Sequence, residues 1–462
     1  MADSCGDIRV VIEGCGHGEL EKIYQTVADM EKAQGFKIDM VICCGDFQST
    51  RNYDDLETMS CPPKYRHIQT FYKYYSGEKV APYLTVFIGG NHEAANYLWE
   101  LYHGGWVAPN IYFLGYAGVL NFGKLRIGGI SGIFQEHHYK LGHYEAPPYN
   151  PKSIKSAYHI RELEVLRLMQ VKGRLDVFLS HDWPRGVYNH GNREQLLRKK
   201  PFFRKEVEQN LLGSPVGEAL MAALQPDYWF SAHLHVKHAA LVTHPPGPKH
   251  PCGSVTKFLS LDKCLPGRDF LQLIHFPGAR GEAPLKLEYD AEWLAVLRCT
   301  HGMLSTSYQS PPLRAPSQGQ LQGHLEFTRR LLTEKGAAIP ENFCQTAPPV
   351  PPGSPAMRGH MPSKAWKNPQ TVQLLEMLGL DYNLAPGSAG NSAPQSRKPV
   401  ASVGNPEEID IGSDDDGDDG EEEAMLPVEN PEEIDIGEND DEEGMFGAVE
   451  IYGSAVMDRT NI

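Results

Sequence analysis

Five short apolar runs between residues 8 and 236 each finish on residue types that bind metals. Ile8–Glu13 leads into Gly14-Cys15-Gly16-His17-Gly18, and Met40–Cys43 into Cys44-Gly45-Asp46. Tyr83–Ile88 leads into Gly89-Gly90-Asn91-His92-Glu93. Asp176–Ser180 leads into His181-Asp182, and Tyr228–Ala232 into His233-Leu234-His235. Runs so short and so continuously apolar suit strands covered on both faces. Leu125–Ser131, Lys257–Asp262 and Asp269–His275 read as further strands, with helices over Gly18–Gln34 and Ala157–Gln170. Alternation of this kind predicts an α/β fold. In such folds the residues just past the carboxyl ends of the strands line one crevice.

The donors delivered there form a coherent set. Flanking glycines let the backbone approach an ion closely. Asp46 can bridge two cations with its two oxygens, Asn91 offers a neutral carbonyl oxygen, and His181, His233 and His235 offer imidazole nitrogens. These suit two divalent metals about 3.5–4 Å apart, the arrangement that hydrolyses phosphate esters. A lone Gly-Asn-His or Gly-Asp carries little weight. Five such elements, in order and each on a strand end, carry a great deal.

The 462 residues allow two or three domains. Residues 401–450 hold 21 Asp and Glu with no Lys or Arg; against a total of −16, the remainder is a mildly basic body at +5. Such a body tolerates a polyanionic partner. No apolar run reaches the length of a membrane span, and MADSCGDIRVVIEG lacks the features of a signal peptide, so no membrane association is expected. Nine scattered cysteines, Cys43 and Cys44 adjacent, fit a reducing compartment, nucleus or cytosol. Beyond about residue 300, Pro, Gly, Ser and Gln become frequent, and 300–385 reads as a small, loosely packed appendage with helices near Gly323–Lys335 and Thr371–Leu380. Residues 386–462 are expected to be a disordered acidic tail. Its two copies of Asn-Pro-Glu-Glu-Ile-Asp-Ile-Gly, starting at Asn405 and Asn430, read either as solvated spacer or as a motif docking a protein partner twice.

The five elements resemble the metallophosphoesterase superfamily, whose order is Asp-x-His, Gly-Asp, Gly-Asn-His-Asp/Glu, His and His-x-His. Cys15 stands in place of the first Asp. With that cysteine go Cys43–Gln48, Pro62–His67, Tyr74–Lys79, Phe87–Glu93, Gly104–Asn110, Gly128–Phe134, Leu179–Pro184 and Phe230–Val236. Together these resemble the RNA lariat debranching enzymes, specifically through about residue 275 and more loosely over Tyr289–Leu297. The resemblance implies a two-sheet β-sandwich flanked by helices (αββα). It implies a catalytic domain over 1–280, a family-specific region over 281–385, and hydrolysis of the 2′–5′ phosphodiester at the branch point of excised intron lariats during mRNA processing. Cys15, His17, Asp46 and His235 would hold one metal, and Asp46, Asn91, His181 and His233 the other. The soft thiolate favours Fe²⁺ or Zn²⁺, with Mn²⁺ as a further candidate. Water acidified by the metals is the expected nucleophile, and His92, next to a ligand but outside both sets, the expected general acid. A nuclear location follows from such a substrate, with shuttling to the cytoplasm as a variant. Oligomeric state is not legible.

Two segments are candidates for RNA contact. Ser131–Arg161 corresponds to the family's lariat recognition loop; Lys140, Lys152, Lys155 and Arg161 would meet phosphates, Tyr139, Tyr144 and Tyr149 would stack on bases, and Ser131 opens the segment. Lys64–Lys79 interleaves basic and aromatic residues, and reads either as an RNA surface or as an amphipathic helix packing Tyr72 and Tyr75 inward. Asp182 either orients a ligand or caps a turn. The competing functions are a phosphatase or DNA nuclease on the same fold, and a non-catalytic scaffold. Cys15 and the 131–161 segment argue against the former, and the full histidine set against the latter.

Overall fold

The computed structural model describes residues 6–247, 250–351 and 353–385. The expected tail and its duplicated motif lie outside the described residues. The first strands are β1 (Ile8–Glu13), β2 (Met40–Cys43), β3 (Thr85–Phe87), β4 (Gly105–Ala108), β5 (Ile111–Phe113), β6 (Ala117–Phe122) and β7 (Leu125–Ile130). They are followed by β8 (Val177–Ser180), β9 (Tyr228–Ser231), β10 (His238–His244), β11 (Ser254–Ser260), β12 (Leu271–Phe276) and β13 (Leu287–Tyr289). One sheet runs β12-β1-β2-β3-β5-β4 and the other β10-β11-β9-β8-β7-β6-β13. Each has a parallel centre and antiparallel edges.

The alternation of side chains explains the layers. On β1, Ile8, Val10 and Ile12 face inward, meeting Ile127, Val177, Leu179 and Phe230 of the other sheet. Val11 faces outward with Val41 and Phe87, under the helix Leu20–Gln34, which buries Leu20, Ile23, Tyr24 and Val27. Phe178, Trp229 and Phe258 face outward from the second sheet, beneath the helices Glu162–Met169, Pro215–Leu224 and Ala291–Thr300. The architecture is therefore helix, sheet, sheet, helix. Every central strand is covered on both faces, which is why these strands read as apolar runs. Among the described residues, no helix is long and apolar enough to cross a membrane.

Three expectations need correction. The helix expected over Ala157–Gln170 is two helices, Pro151–Ala157 and Glu162–Met169. Between them Ile160 donates its N–H to Ile133 O (2.9 Å), so the backbone there serves a bridge to the preceding loop rather than a helix. The segment after 300 is not loosely packed. The helix Gln318–Lys335 lies on Ala291–Thr300, and Gln370, in the helix Pro369–Met377, bonds both N (2.8 Å) and O (2.9 Å) of Trp106, so a side chain completes the edge of β4. Arg51, fully buried, carries Asp55, Glu100 and Thr346 on one guanidinium and ties this region to the loop after β2. Finally, Lys64–Lys79 packs inward only in part, and Lys64, Tyr65 and His67 are exposed. The helix Phe71–Ser76 buries Phe71, Tyr74 and Tyr75, while Tyr72 is not among its buried residues. Three cations of the segment are paired, Arg66 with Glu57 and Lys73 and Lys79 with Glu21, while Lys64 lies 4.8 Å from the ring of Tyr65.

Candidate metal centre

All five sequence elements arrive at one end of the sandwich. Cys15 and His17 follow β1, Asp46 follows β2, Asn91 and His92 follow β3, His181 follows β8, and His233 and His235 follow β9. The parallel strands point the same way, so their carboxyl ends share an edge. His181 locks the two sheets together there, its Nδ1–H donating to Cys44 O (2.8 Å). Cys15, Asp46, Asn91 and His181 form a buried floor; His17, His92, His233 and His235 are half-buried around its mouth.

Unusual backbone conformations cluster at this place. His17, Asp46, Gln48, His233 and His235 all have positive φ, between 41° and 63°. Such residues cost on the order of 1–3 kcal/mol each and persist where the surroundings over-determine them. Glycine is required at Gly90, where a Cβ would collide with Asp46 Oδ1 and the His181 ring.

Donor atoms of Cys15, His17, Asp46 and His235 all lie within 4.8 Å of one another. The His17 and His235 Nε2 atoms are 3.4 Å apart, and His17 Nε2 is 3.8 Å from Asp46 Oδ2. The other oxygen of Asp46 is 3.4 Å from His181 Nε2, which in turn is 3.1 Å from Asn91 Oδ1. The His233 ring lies 5.0 Å from that of His181, and its backbone N–H donates to Cys15 Sγ (3.2 Å). Asp46 thus faces two groups of donors, one on each oxygen.

The electrostatics describe a site short of positive charge. Burial, with the Asp46 charge, pushes the Cys15 thiol well above its ordinary value. Burial also lowers His17 to about 4, His233 to about 3 and His235 to about 2, so these imidazoles are neutral at pH 7 with lone pairs free. Asp46 is buried too, yet His181, His92 and His17 hold its carboxyl well below the usual range. Three neutral imidazoles converge there with a carboxylate, a thiol and His181, whose imidazole Asp46 raises above its ordinary value against the effect of burial. That donor chemistry fits cations: Cys15, His17, Asp46 and His235 for one, Asp46, Asn91, His181 and His233 for a second. A bound cation would reverse the penalty on Cys15, because a coordinating thiol is deprotonated outright.

Several residues that brace the site escaped the sequence reading. Glu93, buried, accepts from Phe47 N (2.8 Å), Gln48 N (2.9 Å) and Gly90 N (3.0 Å), clamping the Asp46 loop to the Asn91 loop. Its presence in the Gly-Asn-His-Glu run was the available signal. The Gln48 side-chain amide lies 3.2 Å from His17 Nδ1 and fixes that ring. Glu13, wholly buried at the end of β1, is pushed up to about 8 by burial; its place in an apolar strand was the signal. Asp182 neither orients a ligand nor merely caps a turn. It bonds the backbone N–H of Phe134 and Trp183, anchoring the 131–161 segment to the end of β8, and burial pushes it up to about 6.

His92 is steered from two sides. Its backbone N–H donates to Asp46 Oδ1 (2.9 Å) and its Nδ1–H to Ser60 O (3.0 Å). A carbonyl only accepts, so Nδ1 keeps its proton and Nε2 is the nitrogen left to exchange one.

The expected RNA contacts fare unevenly. Arg161 is 1 % exposed, its guanidinium committed to Glu145 (2.5 Å), Ser156 and His159 O, and it cannot meet a phosphate. Tyr149 is buried against Ala95, Ile154 and Ala157 and cannot stack on a base. Ser131 accepts from Gly89 N (2.9 Å) and donates to Gly115 O (2.6 Å), bracing the strand end. Tyr139 is half-buried against the core. Lys140, Lys152 and Lys155 are exposed and Tyr144 half-exposed. The error has one cause: the segment contains its own small core, which consumed residues that resemble RNA contacts.

Two sheets between helices, with donors converging on a carboxylate at the strand ends, define a calcineurin-like phosphoesterase, and residues 5–237 match that family. Residues 253–383 match a second one, the C-terminal domain of lariat debranching enzymes. Lariat debranching enzyme of Danio rerio is 48% identical over 419 residues, covering 89% of this chain and 73% of that protein. Its Homo sapiens counterpart is 50% identical, covering 82% of this chain and 70% of that protein. The Arabidopsis thaliana enzyme is 48% identical over 82% of this chain and 87% of its own length. The chain belongs to the lariat debranching enzyme family.

Proposed function

We propose that this chain hydrolyses the 2′–5′ phosphodiester at the branch point of lariat intron RNA, acting as a metal-dependent phosphodiesterase. The observation that carries the reading is the joint match of both regions, phosphoesterase and debranching C-terminal domain, on a chain whose strand ends converge on Asp46. When bound, divalent ions at these donors supply Lewis-acid activation of water and neutralise charge on the phosphoryl oxygens.

The chain's own residues do the rest. Asp46 holds the two donor groups together, and Glu93 fixes the loops that deliver Asp46 and Asn91. His92 is oriented through Asp46 and Ser60, with Nε2 as the nitrogen that can hand a proton to the departing 2′-oxygen. Water's oxygen joins phosphorus, the P–O2′ bond breaks, the proton on Nε2 passes to O2′, and the proton that the attacking water gives up is released to solvent, from which His92 is reprotonated. The products are a linear RNA with a 5′-phosphate and a free 2′-hydroxyl at the branch nucleotide. The Cys15 thiol makes Fe²⁺ or Zn²⁺ the fitting occupant of its site, with Mn²⁺ as an alternative. Lys140, Lys152, Lys155 and Tyr144 are the residues of the 131–161 segment left to contact RNA. A spliced-intron substrate supports a nuclear location, with shuttling to the cytoplasm as the variant.

The test compares hydrolysis of a synthetic 2′–5′ branched RNA with that of linear RNA, linear DNA and a phosphopeptide, using anaerobically purified protein of known metal content. Selective cleavage of the branch supports the reading. Equal or preferred turnover of a linear nucleic acid or the phosphopeptide replaces it with a nuclease or phosphatase.

A further inference from the structure

Residues 185–213 form a closed excursion from the end of β8. Its two ends are stitched together: Arg185 N donates to Ser214 O (3.0 Å), and Ser214 N to Trp183 O (2.7 Å). It begins four residues after His181. Its middle is pinned by a bridge between Gly191 and Ala240, five residues after His235. The excursion is thus tied to the strand that delivers His181 and to the one that follows His235. Leu196, Phe203, Val207 and Leu212 are buried and fasten it to the core of the second sheet. It is an ordered platform, and long ordered loops beside strand-end crevices are where binding surfaces are found.

The outer face has an unusual composition. From Arg193 to Lys205 there are six basic residues and one acid, Glu194. Arg198, Lys199, Arg204 and Lys205 are exposed, and no ion pair among the described residues engages them. In Lys64–Lys79, by contrast, three of the four Lys and Arg side chains are neutralised by Glu57 and Glu21. In the middle of the basic run Phe202 is 59% exposed, with the Lys200 ammonium 5.5 Å from its ring. An exposed phenyl flanked by cations matches the chemistry of single-stranded nucleic acid, where charge tracks phosphates and a ring stacks on a base without reading sequence. The acidic residues 401–450 offer the charge but contain only one aromatic, Phe446, so they leave the exposed ring unexplained.

We propose that residues 193–205 bind a single-stranded arm of the branched RNA where it leaves the metal centre, giving sequence-independent grip away from the branch point. The proposal rests on the functional reading above and extends it to substrate outside the branch nucleotide. The experiment uses full-length protein carrying R198A/K199A/R204A/K205A, and separately Phe202→Ala. Two branched RNAs are compared, one with minimal arms and one with an arm of about 16 nucleotides, a length that spans a typical single-strand site.

The expected result is a KM for the long-armed RNA raised about tenfold in the quadruple variant, against no comparable rise on the minimal RNA. The slope of log affinity against log salt should fall by about 3. Equal loss on both RNAs, or no change on either, overturns the proposal. Anisotropy with an unbranched strand of the same length reads the surface independently of cleavage. If the wild-type protein cleaves no branched RNA, this binding still decides the surface, and the two failures stay separate. If deleting residues 386–462 tightens RNA binding in the wild type while the quadruple variant of the full chain binds as the wild type does, the surface belongs to the acidic segment and the proposal falls.

Discussion

At the strand ends, Cys15, His17, Asp46 and His235 turn their donor atoms toward one point. In the 131–161 segment the same residue types turn toward one another. Arg161 is taken by Glu145, His143 lies 3.0 Å from Glu164 Oε1, and Tyr102 donates to the same carboxylate. Both regions are rich in histidine, tyrosine and charge, and both are largely buried. The difference is satisfaction. In the segment, the buried acids Glu145 and Glu164 are met by Arg161, His143 and hydroxyl groups, as buried polar groups in a scaffold must be. In the crevice, imidazoles crowd one carboxylate and a thiol, and His17, His233 and His235 are kept neutral by burial with no acid of their own to pair with. Convergence without pairing marks a place for a ligand, whereas composition alone marks neither.

The sharpest way to break that comparison is Asp46→Ala. If both donor groups depend on this carboxylate, debranching should fall by more than about 10⁴-fold, since each cation contributes several kcal/mol of transition-state stabilisation. Metal analysis of the purified variant should show loss of both ions. Full metal content would mean the donors organise without Asp46. His92→Ala should cost less, about 10²–10⁴-fold in kcat, the range for a lost general acid. Its metal content should be unchanged, because Asp46 contacts His92 through the backbone. A fast His92→Ala protein would remove His92 from proton transfer.

The contrast also explains what could be read from sequence. Central strands such as β1, β2 and β8 were legible because covering both faces leaves no polar alternative. The edges were not. β10 alternates buried and exposed residues, β13 has only three residues, and the edge of β4 is completed by Gln370 from far along the chain. The donors were legible because metal chemistry restricts residue type and the strand ends fix their order. Supports such as Gln48 and Ser60 were not, since what they supply is position, and position is set by folding. Arg161 and Tyr149 misled for the complementary reason: a segment long enough to build its own core has used its aromatics and arginine before any RNA arrives.

Arg161→Ala tests that last point. Removing one partner of a buried ion pair leaves Glu145 uncompensated, and should destabilise the fold by about 3–5 kcal/mol. Thermal denaturation reads this directly. A variant as stable as the wild type but weakened in RNA binding would return Arg161 to the surface role first expected of it. A milder change is expected from Cys15→Asp, which installs the superfamily's usual residue. Activity should stay within about tenfold while preference moves toward harder ions such as Mn²⁺. Reconstitution of the apo-protein with single metals measures this, and an unaltered preference would mean that Cys15 does not contact the ion.

The smallest expected effect belongs to the part of the 131–161 segment that faces solvent. Lys140, Lys152 and Lys155 are exposed, and among the described residues none is engaged in an ion pair. Lys152 and Lys155 lie on the helix Pro151–Ala157, whose inner face, Ser153, Ile154, Ser156 and Ala157, is buried. Their charge can thus be removed without disturbing the small core beneath. A 2′–5′ and a 3′–5′ linkage are alike at phosphorus, so the metals cannot tell them apart, and discrimination must come from contacts around the branch. If these lysines supply some of those contacts, the triple alanine variant should raise KM for branched RNA about three- to tenfold and leave kcat unchanged. Thermal stability should hold, in contrast to Arg161→Ala. A fall in kcat with KM intact would mean the helix positions the metal centre and not the RNA. No effect on either constant would leave the segment a scaffold throughout, and shift recognition of the arms to the basic face at 193–205.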